Sequence, residues 1–179
     1  MKKKVFLFVA SLFLLSTITF GQAYQQGSNV INAGIGLGGT YWGAGYSNGV
    51  SLVGSYEHGV TSNISVGGIL GYSHSSFSGT SSGVPFSYSA TGILIGARGS
   101  YHFLTSEQLD PYAGADLGYV VVSSSSSNNN VVYNNSKGSG LGFGVHGGVR
   151  YYFNPGLGVY AELGIGSFYI LGLGVSFKF

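Results

Sequence analysis

The stretch YILGLGVSFKF, Tyr169 to Phe179, decides the fold. Tyr169, Leu171, Leu173, Val175, Phe177 and Phe179 take alternate positions, with Ile170, Gly172, Gly174, Ser176 and Lys178 between them. In an extended chain successive side chains point to opposite faces, so this spacing makes one apolar face tipped with aromatics and one mostly small or polar face. About ten such residues are what a tilted strand needs to cross a bilayer core. An unpaired apolar edge invites aggregation. The pattern therefore predicts a strand that faces lipid and closes a barrel.

The same alternation recurs along the chain and predicts eight strands. The first, 29–42, sets Ile31, Ala33, Ile35, Leu37 and Tyr41 against Asn32, Gly34, Gly36, Gly38 and Thr40. Strands at 50–58 and 64–75 turn Leu52, Tyr56, Ile64, Val66, Leu70 and Tyr72 outward. In 86–103, Ile93, Ile95, Ala97, Tyr101 and Phe103 oppose Leu94, Gly96, Arg98, Ser100 and His102. Strands at 111–122, 139–153 and 158–166 continue the pattern, with Leu117, Phe143 and Leu163 outward and Asp116, His146 and Glu162 inward. Short connections at 59–63, 104–110 and 154–157 contrast with Ser/Asn/Gly-rich stretches at 76–86 and 123–138, which read as long loops. Residues 43–49 read as a moderate loop and 166–168 as a very short one. Short turns at one end and longer loops at the other match the periplasmic and extracellular ends of a membrane barrel. Tyr101/Phe103, Tyr151/Phe153 and Phe177/Phe179 fall at the short-turn end, where an aromatic girdle belongs.

The amino terminus reads differently. Basic MKKK, an apolar run from Val5 to Phe20 and small residues at Gly21-Gln22-Ala23 form a secretory signal peptide, residues 1–23, with cleavage after Ala23 or after Gly21. A retained anchor is the competing reading, weakened by the short, hydroxyl-bearing apolar run. The barrel domain is then 24–179. The formal charge of +2 over the whole sequence loses three lysines with the leader. What remains is Arg98, Lys137, Arg150 and Lys178 against Glu57, Glu107, Asp110, Asp116 and Glu162, which excludes a basic surface for nucleic acid. The absence of cysteine excludes disulfides and thiol chemistry. With 44% hydrophobic and 7% charged residues and no apolar run of helical length in the mature chain, a strand-spanning membrane protein is the class that fits. A soluble lipocalin-like barrel would need the reverse, an apolar interior and a charged exterior.

YEHGVTSNISVGG (56–68), IGARGSYHF (95–103), DPYAGADLGY (110–119) and the Phe-terminated last strand together resemble the small outer-membrane β-barrel proteins of Gram-negative bacteria, the OmpA/OmpX/OmpW-type barrels. The likeness covers the mature chain. It implies an all-β, eight-stranded antiparallel up-and-down transmembrane barrel in the cell outer membrane. It also implies a monomer in contact with outer-membrane lipid and lipopolysaccharide, handled during biogenesis by periplasmic chaperones and the barrel assembly machinery. On the same likeness Tyr169, Leu171, Leu173, Val175, Phe177 and Phe179 form the strand that this machinery recognises.

For chemistry, alternation directs Arg98, Asp116, His146, Arg150, Glu162 and Lys178 inward, with His102, Tyr152 and Tyr160. Buried charges need partners, so these residues predict a luminal polar network that fills the interior, with Glu57 as a further acid. Two other readings compete: a gate in a narrow pore for small or hydrophobic solutes, and a lipid-modifying hydrolase. For the hydrolase the candidates are His74 beside Ser73, Ser75 and Ser76, and His146 near Glu162; a triad needs serine, histidine and acid in hydrogen-bond series. No His spacing fits a metal site, and no catalytic residue or cofactor is expected. Gly34-Gly36-Gly39 and Gly142-Gly144-Gly147 match G-x-G-x-x-G but lie inside alternating strands with no following helix, which excludes a dinucleotide site.

Overall fold

The computed structural model describes residues 22–38, 50–81, 83–103, 106–128, 131–165 and 169–179; for residues 81, 127, 128 and 131–136 the backbone alone is described. Most of the leader, Tyr41 with the end of the first expected strand, Gly39 and the connections at 43–49 and 166–168 lie outside the described residues.

The eight strands are β1 (Asn29–Leu37), β2 (Ser51–Gly59), β3 (Ile64–Ser81), β4 (Val84–His102), β5 (Leu109–Asn128), β6 (Val131–Asn154), β7 (Leu157–Ile165) and β8 (Leu171–Lys178). Each pairs antiparallel with the next, and β8 returns to β1, so the sheet is a closed barrel. The seam runs in register from Val30 opposite Lys178 to Leu37 opposite Leu171. Asn29 and Phe179 exchange both backbone hydrogen bonds at 3.0 Å, which ties the last residue to the first strand. Closure leaves no edge around the apolar band, the condition for a sheet inside hydrocarbon.

Among the described residues the face assignments of the seven earlier strands hold. Leu52, Ile95, Leu117, Phe143 and Leu163 are all exposed on the outer wall, whereas Glu57, Arg98, His102, His146, Arg150 and Glu162 are buried inside. Tyr56, Tyr101, Phe103, Tyr151, Phe153 and Phe179 make an outward aromatic girdle at the short-turn end, with Tyr101–Phe103 and Tyr151–Phe153 in edge-to-face contact. Short turns cap themselves locally: Asn154 Oδ1 accepts from the amides of Gly156 and Leu157, and Thr61 Oγ1 from those of Asn63 and Ile64.

Two corrections concern strand length and one concerns a face. The stretches 76–86 and 123–138, expected as loops, are largely strand. β3 and β4 pair without interruption from Ile64–Tyr101 to Ser81–Val84. β5 and β6 pair as far as Asn128–Val131, with one irregularity between Ser124 and Ser126. Backbone pairing extends these hairpins although serine, asparagine and glycine give no alternation. The described strands are therefore uneven in length. β1, β2 and β7 have 9 residues each and β8 has 8, against 18, 19, 20 and 24 for β3 to β6. At about 3.3 Å per residue, the run from Val131 to Gly144, beyond the last β7 partner at Val145, projects roughly 45 Å along the strand.

The face correction is Tyr169. It precedes β8 and is buried in the lumen, not exposed on the lipid wall. A bend at Ile170, whose amide bonds the carbonyls of Leu37 and Gly38, breaks the alternation and swings the ring inward. Gly36 and Gly172 make its seat: a Cβ on either would stand 2.6–2.7 Å from Tyr169 atoms.

Placing a cation at mid-wall should cost about 2–4 kcal/mol. Ile95→Arg is expected to lower folding stability in lipid vesicles by that amount, measured by urea-dependent unfolding. Ser78→Arg, on the projecting β3–β4 hairpin, should change it by less than about 0.5 kcal/mol.

Candidate functional site in the barrel lumen

Cross-strand register stacks the inward residues into rows. One row runs Glu57–Gly67–Arg98–Asp116–Gly144 across β2 to β6. Glycines on either side of the Arg98–Asp116 pair thus leave the large charged side chains room. At Gly67 an added Cβ would sit 1.8 Å from the Tyr56 carbonyl oxygen, so no other residue fits there. An eight-stranded barrel is wide enough only for its own side chains, and this row is how the sequence divides the space.

Two guanidiniums organise the site. Arg150, fully buried, donates to Glu57, to Asp110 Oδ2 at 2.9 Å and to Asn32 Oδ1 at 3.3 Å, and lies 4.0 Å over the Tyr112 ring. Arg98 donates to Glu162, with its Nε 3.6 Å from Glu57 and 3.8 Å from Asp116. Glu162 also accepts from Tyr112 at 2.7 Å and from Tyr169. Asn32 links Ser55 and Ser176 to the cluster. Arg98 Nε and Asp116 Oδ1 are buried without a hydrogen-bond partner; charge alone holds them together.

Each of the two luminal histidines, His102 and His146, bridges a serine and an acid. Ser65 Oγ lies 3.0 Å from His102 Nε2, and His102 Nδ1 lies 2.6 Å from Asp110. Ser100 Oγ lies 3.1 Å from His146 Nε2, and His146 Nδ1 lies 3.0 Å from Asp116. This is the connectivity of a hydrolytic triad, twice over. Ser65 donates its proton to Glu57 Oε2 at 2.6 Å, and Ser65 and Ser100 are 1% and 3% exposed. Both histidines also give the buried carboxylates of Asp110 and Asp116 a hydrogen-bond partner.

The cluster is capped on both sides. Toward the long hairpins lies an apolar layer of Val53, Ile69, Leu94, Val120 and Tyr169. Toward the short turns, Tyr24 stacks on His102 with ring centroids 3.5 Å apart and planes within 5°, and its hydroxyl donates to the Thr61 carbonyl. Burial, reinforced by Asp110 and Glu57, pushes this phenol up to about 12, so the lid is neutral.

Of the six residues expected in the network, Arg98, Asp116, His146, Arg150 and Glu162 come together. Lys178 does not. It sits at the short-turn mouth, bonded to the carbonyls of Gln22 and Ala23 and 4.8 Å over the Tyr152 ring. His146 meets Asp116 rather than Glu162, and His74 faces outward, bonded to Thr91. Asp110, placed in a turn by the sequence reading, is instead a central partner of Arg150. Its signal was parity, since Asp110, Tyr112 and Asp116 share one face of β5. Tyr24 gave no signal, being outside any alternating run, and Tyr169 gave a misleading one, since the bend at Ile170 reverses its parity.

A closed, antiparallel, eight-stranded barrel with an apolar outer band, an aromatic girdle and an ionised, filled interior defines the class of small transmembrane β-barrels. The sequence profile of the family described as outer membrane protein beta-barrel domain matches residues 9–179, and the chain belongs to that family, located in the outer membrane. Solved structures agree in fold. The N-terminal β-barrel domain of Pseudomonas aeruginosa OprF is 20% identical, with a TM-score of 0.55 over 86% of this chain and 98% of that one. OprG of the same organism is 8% identical, with a TM-score of 0.59 over 87% and 97%. Ail, the attachment invasion locus protein of Yersinia pestis, is 14% identical, with a TM-score of 0.52 over 87% and 100%. No curated protein matches the chain.

Removing one member of a buried ion pair leaves the others uncompensated, at about 3–5 kcal/mol. Arg150→Met should therefore destabilise the refolded barrel by that amount in a urea titration, well beyond the effect of Lys178→Met.

Proposed function

We propose that the protein is a non-enzymatic component of the outer membrane in which a filled, non-conducting barrel anchors an interaction surface on the cell exterior. The observation that supports this reading is the closure of the lumen in three layers: the Tyr24 lid, the paired ion cluster and the apolar layer around Tyr169. Ions entering would have to break paired charges and then cross a layer with no polar atoms beyond the Tyr169 hydroxyl. In this reading the short turns face the periplasm and the β3–β6 wall faces outward.

The outer wall meets lipid and lipopolysaccharide, and the monomer is the working unit. Leu171, Leu173, Val175, Phe177 and Phe179 remain the strand offered to the assembly machinery, with periplasmic chaperones acting earlier; Tyr169 drops out of that set because it faces the lumen.

The purified protein in planar bilayers should give no stable single-channel conductance. Reproducible conductance that changes on Arg98→Ala would establish the small-pore reading instead. Expression should leave the lipid A mass spectrum of the host unchanged; a new lipid A species would overturn the non-enzymatic assignment.

A further inference from the structure

Cross-strand pairing lines up four residues in one row on the outer face of the long wall. His74 on β3 pairs with Thr91 on β4, Thr91 with Ser123 on β5, and Ser123 with Lys137 on β6. His74, Ser123 and Lys137 are exposed and Thr91 is half-buried. One step nearer the short turns the same face carries Tyr72, Ile93 and Val121, and Tyr119 follows a step further on. The Tyr119 hydroxyl donates to Ser139 Oγ at 2.7 Å. Tyrosines in this position suit a membrane–water interface, with the ring in the apolar layer and the hydroxyl in the polar one. The height agrees. Ile64 pairs with Tyr101 at the short-turn end. At about 3.3 Å per residue and a tilt of about 40°, the climb along β3 from Ile64 to His74 is roughly 25 Å, the height of an apolar band.

Every side chain in the row carries a hydrogen-bond donor and none is acidic. Lys137 is the one lysine or arginine on the outer face among the described residues, and it forms no ion pair with any of them. His74 Nδ1 lies 2.9 Å from Thr91 Oγ1, which leaves Nε2 for another partner.

We infer that this row binds the phosphate of an outer-leaflet lipid headgroup. Lys137 and Ser123, on neighbouring strands about 4.8 Å apart, hold the phosphate oxygens. Thr91 and His74 extend the line of polar groups two strands further, for the remainder of the headgroup. A lipid is the source because one exposed lysine contributes little toward capturing a free anion from water. A lipid is already held at this height by its acyl chains, against the apolar face that continues below, so one cation and a few donors suffice to select it. The inference rests on the orientation proposed above, with the β3–β6 wall on the cell exterior.

The test adds lipid A, with its phosphates or stripped of them, to the refolded barrel in detergent micelles and counts retained lipid by native mass spectrometry. The protein should retain the phosphorylated form at about tenfold lower concentration than the stripped form, the scale of one hydrogen bond to a charged group. Lys137→Gln should abolish that preference and Lys137→Arg should keep it. Equal retention of the two forms, or a preference that survives Lys137→Gln, overturns the inference. Full competition by inorganic phosphate at the concentration of the lipid also overturns it, by making the row a site for a free anion. Orientation is read separately. The chain has no cysteine, so Ser78→Cys on whole cells reports exposure to a membrane-impermeant maleimide. Labelling supports the outward wall and leaves lipid A retention to judge the row alone, whereas absence of labelling overturns the orientation and this inference with it.

Discussion

Arg150, wholly enclosed and bonded to Glu57, Asp110 and Asn32, is the point on which the interior turns. A charge taken out of water is tolerated only with partners close at hand, and the partners here come from β1, β2 and β5 while the arginine comes from β6. The pairing therefore ties together strands that are not all neighbours in the sheet. Arg98 does the same from β4 to Glu162 on β7. A slip of one residue in any of these strands would turn a charge toward hydrocarbon and an apolar side chain toward the cluster. The ion network and the apolar band are thus two expressions of one register.

This division separates what sets the architecture from what a partner could read. Inside, nearly every polar atom is committed. The outer band offers only apolar and aromatic groups. That leaves the β3–β6 extension, with its serine and glycine surface, as the part whose composition neither lipid nor lumen dictates.

The sequence showed most where one physical demand acted on alternate residues. Lipid on one side and a narrow lumen on the other imposed period two on Ile93 to Phe103 and Leu141 to Phe153, and the faces followed. Where no such pattern is imposed the signal lapses. Ser123 to Asn128 bear the same kind of side chain on both faces, so their strand character lay in pairing with β4 and β6, which no local pattern records. Tyr169 was misplaced because one bend at Ile170 shifts parity, and Lys178 because parity gives a face without giving a depth. The site was legible in the same measure: Arg98, Asp116, His146, Arg150 and Glu162 followed from their face, whereas the Tyr24 lid depended on a segment that resembles the tail of a leader.

The unequal rim gives the molecule a front and a back in the plane of the membrane. Among the described strands, β3 to β6 run on past the ends of β1, β2, β7 and β8, so neighbours approaching from opposite sides meet different flanks. A round barrel of even height would be indifferent to rotation about its axis. This one has a compass bearing, and crowding in the leaflet acts on it unequally from each quarter.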